Sequence, residues 1–172
     1  QQENEAYRKR VLLDERNKTA SKNLERVQKE QYGGVEATIN SEMERINATL
    51  YSEKANPPIL HLEGNSYEFF TQDDTGTGIA YKGLVVYDLA IASLTKLPIL
   101  VHDSLILKQI SDEAVENILV RYMESGKQVI ISLDKQDSYS KRTAEILEKQ
   151  CVLHLAPNGR ELFGRAWSRQ ET

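Results

Sequence analysis

The sequence predicts an α/β fold, a mainly parallel sheet with flanking helices, preceded by coiled-coil-like helices. Three observations carry this. Residues 1–55 contain no proline and repeat apolar side chains at heptad spacing. Asn56-Pro57-Pro58 then ends the helical texture. From Pro98 onward, short apolar runs alternate with amphipathic stretches in the order strand, helix, strand, helix, strand, which is the signature of right-handed βαβ crossovers.

In the first part, Leu13, Asn17, Ala20, Leu24 and Val27 recur at alternating spacings of four and three, with Asn17 a polar interruption able to fix register. Gly33-Gly34 breaks the phase, and Ile39, Met43, Ile46 and Leu50 resume it. Two readings of these stripes stand: a coiled-coil arm awaiting a partner helix, or a solvated helix lying on its own domain. Residues 1–55 are thus expected as arm helices and 56–172 as an α/β lobe.

After the prolines, Ile59-Leu60-His61-Leu62 and Tyr67-Glu68-Phe69-Phe70 flank Gly64-Asn65 and predict a hairpin. Asp73 to Gly78 is a polar, glycine-rich loop. Residues 80–95 read as a helix; Leu84, Val85, Leu89, Ile91 and Leu94 spread round its circumference and predict burial on most sides. Ile99-Leu100-Val101 and Val129-Ile130-Ile131 have the continuous apolar character of strands buried on both faces. Between them Ser111 is an N-cap candidate, Asp112 and Glu113 suit the positive end of a helix dipole, and Val115, Ile118, Leu119, Tyr122 and Met123 mark one face. Gly126 stops that helix. Ser140 caps a further helix through Lys149, Cys151-Val152-Leu153-His154-Leu155 reads as the last strand, and Pro157-Asn158-Gly159 turns the chain into a tail whose Leu162, Phe163 and Trp167 are expected to dock in part.

Composition bounds the function. With 172 residues, 40% hydrophobic and 28% charged, the chain can build a core and is not a disordered segment. A net charge of −4 argues against a dedicated nucleic-acid module, which carries a basic surface, while leaving room for a local stripe from Lys141, Arg142, Arg160, Arg165 and Arg169. The single cysteine, Cys151, permits no disulfide within one chain and fits a cytoplasmic location. No apolar run approaches the roughly 20 residues of a membrane helix, so no membrane partner is expected. Gln1-Gln2-Glu3-Asn4 reads as a cut within a longer protein or a processed end.

In an open parallel sheet, ligands bind beyond the carboxyl ends of the strands. There the first apolar strand runs into His102-Asp103-Ser104. An acid in that place either holds Mg²⁺ on nucleotide phosphates or caps a turn. Thr75-Gly76-Thr77-Gly78, just before a helix, is either an anion-facing loop or a flexible connection. Lys82 stands near Gly78 and Gly83, yet no Gly-x-x-x-x-Gly-Lys-Ser/Thr occurs, so this chain holds no phosphate cradle of the P-loop kind. His61, His102 and His154 lie in or beside apolar strands, and their spacing gives no metal signature. Tyr67, Phe69, Phe70 and Trp167 read as core or docking residues rather than base-stacking ones.

The full order of elements resembles the C-terminal lobe of an SMC/RecN-like ABC-type ATPase head. It is closer still to an uncharacterised bacterial family of large SMC-like proteins with a C-terminal domain of unknown function. Three stretches carry the closer likeness: Thr75 to Gly78, Gly83-Leu84-Val85-Val86-Tyr87-Asp88-Leu89-Ala90, and Leu97-Pro98-Ile99-Leu100-Val101-His102-Asp103-Ser104. The resemblance implies a P-loop NTPase half whose P-loop sits on a separate N-terminal lobe of the same protein. It places Asp103 at the Walker B aspartate, holding Mg²⁺ through water. It places Thr75 to Gly78 where the signature touches ATP on an opposing head, and the segment from Ser104 to Asp112 where the D-loop runs. ATP and Mg²⁺ are the implied cofactors, bound only with the missing lobe. The implied partners are that lobe, a second copy joined through ATP-bound heads and coiled coil, and DNA, with a role in DNA maintenance, repair or defence.

Departures from the pattern qualify the implied chemistry. Ser104 stands where a glutamate would activate water, and Ser132-Leu133-Asp134 stands where a switch histidine follows the next strand. His102 and Asp134 are the candidates left for a base or a further ligand. The expectation is ATP binding and dimerisation rather than rapid hydrolysis, with the fragment inactive alone. Two other functions compete: a non-enzymatic coiled-coil interaction module, and a metal-dependent phosphoryl-transfer or nuclease domain using His102, Asp103 and Asp134.

Overall fold

The computed structural model describes residues 2–73, 76–134, 138–156 and 159–164. Contacts divide the chain into two compact units, Gln1–Leu133 and Asp134–Thr172.

The first unit opens with α1 (Gln2–Asn47), one unbroken helix of 46 residues, roughly 70 Å long at about 1.5 Å per residue. The phase break expected at Gly33-Gly34 does not interrupt it. The helix runs through because the residues on both sides are strong helix formers and its last third is held by packing. It ends at Asn47, before the prolines. Tertiary contacts stop it: Leu50 is fully buried, its carbonyl accepts from Asn117 Nδ2 at 3.0 Å, and Asn47 Nδ2 reaches Ala55 O at 2.8 Å, folding the following segment back. The two apolar stripes part company. Ile39, Met43, Ile46 and Leu50 are buried in the unit's own core, whereas Leu13, Leu24 and Val27 are exposed along with every described neighbour from residue 4 to 27.

The predicted hairpin forms from β1 (Pro58–Glu63) and β2 (Ser66–Thr71), antiparallel with Leu60 opposite Phe69. Gly64 takes φ +55° in the two-residue turn, a conformation that suits glycine. The other edge of β1 is covered by side chains of α1. Asn40 accepts from Leu60 N at 2.8 Å and donates to Leu60 O at 2.9 Å, and Glu36 accepts from Leu62 N at 2.9 Å. The helix therefore supplies the ladder bonds that a third strand would have made.

α2 (Thr77–Leu94) crosses beneath the hairpin, burying Val85, Val86, Leu89, Ala90 and Ala92, with Phe69 edge-on to Tyr87 at 5.7 Å. Burial is confined to one face, since Leu84 and Leu94 are exposed. Among the described residues, α2 is the one helix long and apolar enough by composition to cross a membrane; here it packs against α1, the hairpin and the second sheet.

That second sheet pairs β3 (Ile99–His102) and β4 (Gln128–Ile131) in parallel, Leu100 beside Val129 and His102 beside Ile131. Between them run the short α3 (Ser104–Leu107) and α4 (Asp112–Glu124), whose Val115, Ile118, Leu119 and Tyr122 are buried. Met123 is exposed, and Ser111 occupies the N-cap position of α4 without a capping bond from its side chain. The strands were expected to be buried on both faces. Instead only the face bearing Leu100 and His102 is covered, while Ile99, Val101 and Ile130 on the other are 40%, 65% and 49% exposed. The described residues thus hold two two-stranded sheets, one antiparallel and one parallel, rather than one mainly parallel sheet.

In the second unit, α5 (Lys141–Gln150) is capped by Ser140, whose Oγ accepts from Thr143 N at 3.4 Å, as its sequence predicts. The strand expected at 151–155 is absent: the segment joins no ladder and Val152 is 99% exposed. An apolar run becomes a strand only where a neighbouring strand takes its backbone bonds. Leu162 and Phe163 of the tail are exposed. Pro157, Asn158, Arg165, Trp167 and Arg169 lie outside the described residues.

Candidate functional site

The parallel register brings the carboxyl ends of β3 and β4 side by side, so the residues that follow them, Asp103 and Ser132, meet. Asp103 Oδ1 accepts from Ser132 Oγ at 2.7 Å and from Ser104 N at 2.6 Å, and Ser104 N also lies 2.9 Å from Ser132 Oγ. Ser132 N in turn donates to His102 O at 3.1 Å. The Ser132 hydroxyl, and then the Ser104 N–H, hold the Asp103 carboxyl below the usual carboxylate range. Asp103 is therefore an exposed, ionised carboxylate fixed at a strand end, and it also N-caps α3. Of the two roles the sequence left open for Asp103, the cap is the one its bonds fill.

One carboxylate and two hydroxyls do not make an all-protein metal cage, and no group of three or more His, Cys, Asp or Glu that could hold a metal converges among the described residues. They do fit Mg²⁺, which keeps most of its water shell and needs one or two carboxylates beside phosphate oxygens.

The other candidates fall at different places. His102 is 3% exposed and its ring points into the core, bonded to Asp88 and Tyr122. Strand alternation puts successive side chains on opposite faces, so His102 turns inward and its ring nitrogens are engaged there by Asp88 and Tyr122. Ser104 contributes its backbone N–H to Asp103. Asp134 opens the second compact unit and is exposed.

Of the glycine loop, Thr75 lies outside the described residues. Gly76 is the N-cap of α2 without a side-chain cap, Thr77 is the first helical residue, and Gly78 sits in the first turn. A Cβ on Gly78 would collide with the Gln109 carbonyl oxygen, so the loop and the α3–α4 connection lie in direct contact. Beside them opens a cleft of about 790 Å³ lined by Tyr51, Lys54, Gly78, Gln109, Ser111 and Glu113 among others. Lys82, in the second turn of α2, is buried; its Nζ reaches Asn56 O at 3.3 Å and lies 5.4 Å from the centre of the Tyr51 ring.

Sequence reasoning named Ser132 only as the residue in place of a switch histidine, and missed Asp88 and Tyr122 as partners of His102. Ser132 carried a signal: it follows its apolar strand as Asp103 follows the other. The remaining pair carried none, since they reach His102 from two different helices.

Comparison with known proteins adds the family. Residues 43–167 match the family described as "Uncharacterised protein conserved in bacteria (DUF2326)". No curated protein matches the chain. Among solved structures, the crystal structure of the SmcHead bound to the C-winged helix domain of ScpA is similar over 58% of this chain, at 18% identity and a TM-score of 0.47. The chain spans 35% of that structure's chain. With well over half of its length matched by the family, the chain belongs to the DUF2326 proteins of bacteria.

Proposed function

We propose that this chain is the C-terminal half of an SMC-like ATPase head, with residues 1–55 the end of its coiled-coil arm and 56–172 the lobe. The bare apolar face of Ile99, Val101 and Ile130 carries the reading. Parallel strands are covered on both faces in stable folds, and here the uncovered face runs up to the fixed carboxylate of Asp103. The expected cover is the N-terminal lobe of the same protein, bearing the P-loop. Asp103 would then hold Mg²⁺ through water, and the Thr75 to Gly78 loop would face ATP on a second head. Ser104 is a poor general base, which favours ATP-gated engagement over rapid turnover. DNA maintenance, repair or defence in the cytoplasm is the setting the reading implies.

The experiment is ATP-dependent dimerisation and steady-state hydrolysis by the full-length protein, wild type against Asp103→Asn. The expected outcome is that wild type dimerises with ATP and Mg²⁺ and the variant loses at least tenfold in that response, a loss of about 1.4 kcal/mol or more. Equal behaviour of the two proteins defeats the assignment of Asp103.

A second reading has its own observation. The bare seam of Leu13, Leu24 and Val27 fits a non-enzymatic module that associates through α1. In that case deletion of residues 1–30 abolishes association and Asp103→Asn leaves it intact.

A further inference from the structure

His102 ends β3, immediately before Asp103, and both its ring nitrogens are engaged. Nε2 lies 2.8 Å from Asp88 Oδ2 on α2, and Nδ1 lies 2.5 Å from the Tyr122 hydroxyl on α4. A carboxylate only accepts, so Nε2 donates to Asp88; with the ring as its Nε2–H tautomer, Nδ1 accepts from the Tyr122 O–H. Burial first, and the Asp88 charge second, push the Tyr122 phenol up, so the hydroxyl keeps the proton it donates. The two rings lie 5.5 Å apart. The same backbone is tied again at His102 O by Ser132 N. α2 is held against the segment after α3 as well, where Gly78 abuts the Gln109 carbonyl.

The geometry points to His102 as a positioning residue: the Asp88–His102–Tyr122 chain pins β3, α2 and α4 together, fixing the strand end that carries Asp103 relative to the helix that starts at Thr77. A role in packing alone needs no histidine. Leu100, the other inward residue of β3, fills its place with an apolar side chain. A buried imidazole loses water and is tolerated when both nitrogens are satisfied. In return it fixes orientation, because hydrogen bonds have direction and apolar contacts do not. What the fixed separation serves rests on the head reading above; the pin itself does not.

The test uses two variants that each remove one of these hydrogen bonds, Asp88→Leu on the half-buried end and Tyr122→Phe in the core. In long-range proton–nitrogen spectra of the ¹⁵N-labelled chain, His102 is expected as the Nε2–H tautomer. Each variant is expected to melt cooperatively and to shift the amide resonances of Asp103, Ser104 and Ser132, which neither substituted side chain touches. Tyr122→Phe in the full-length protein should weaken ATP-dependent engagement about tenfold, the loss of one buried hydrogen bond. A His102 protonated at Nδ1 alone, or strand-end amides unmoved in a folded variant, overturns the pin whatever ATP does. Strand-end amides that move, in a protein whose wild type ignores ATP, uphold the pin and defeat the head reading. Should Tyr122→Phe fail to fold, Asp88→Leu decides, since the Asp88 side chain is 44% exposed.

Discussion

Two glycines of α2 show how a single atom is judged by what it would meet. A Cβ on Gly78 collides with the backbone carbonyl of Gln109, which cannot move without shifting the α3–α4 connection; one on Gly83 meets the side chains of Phe69 and Pro58 at 3.4 Å. Gly78→Ala is therefore expected to destabilise the protein by about 1–3 kcal/mol. In Gly83→Ala the gain in helix propensity of about 1 kcal/mol offsets a tight contact and leaves little net change. Urea midpoints of the two variants check the contrast. Glu36 allows a prediction in pH. The Leu62 N–H, then the His61 side chain, lower its pKa. A carboxylate with a depressed folded pKa stabilises above its ordinary value, and that contribution is lost as pH falls through the lowered one. Urea midpoints should thus drop below about pH 4.3, the ordinary glutamate value, less steeply in Glu36→Gln than in wild type. Asp103 was legible as an acid after an apolar strand. Ser132 was legible as the residue after the next apolar strand, but its bond to Asp103 across 29 residues, like that of Tyr122 to His102 across 20, waited on the strand register.

The elements that rest on short-range chemistry were the most legible. The hairpin follows from alternation about Gly64-Asn65, and α5 starts at Ser140 because a serine hydroxyl satisfies an orphan N–H. Elements that depend on distant partners were not. α1 was expected to reach the prolines, and burial of Leu50 ends it earlier. Residues 151–155 have strand composition and no ladder. The seam through Leu13 and Leu24 and the stripe through Ile39 and Met43 look alike in sequence; only the second meets a core. Gly33 and Gly34 belong to this scale, since nothing lies within 4 Å of either Cβ site. Replacing both by alanine is expected to stabilise the helix by about 0.5–1 kcal/mol each, read as a rise in far-ultraviolet helical signal and melting temperature. No rise would mean that the helix bends or opens at the pair in solution.

At the scale of the whole molecule the uncovered sheet face is the feature that no arrangement of the first unit's own elements resolves. Ile99, Val101 and Ile130 form a contiguous apolar strip on the parallel pair, on the face opposite buried Leu100 and His102. Ile130→Lys separates the possibilities. In the chain alone the side chain is half exposed, so the change should stay within about 0.5 kcal/mol of wild-type stability, and it should reduce self-association in sedimentation by removing apolar surface. In the full-length protein a covering lobe would bury the ammonium without a partner, at a cost of several kcal/mol, and ATP-dependent engagement should vanish although Asp103 is untouched. A full-length Ile130→Lys protein as stable and as responsive as wild type would mean that the face stays bare in the assembled molecule. The half-head reading would then lose the observation that carries it, and the exposed seam of α1 would become the surface to pursue.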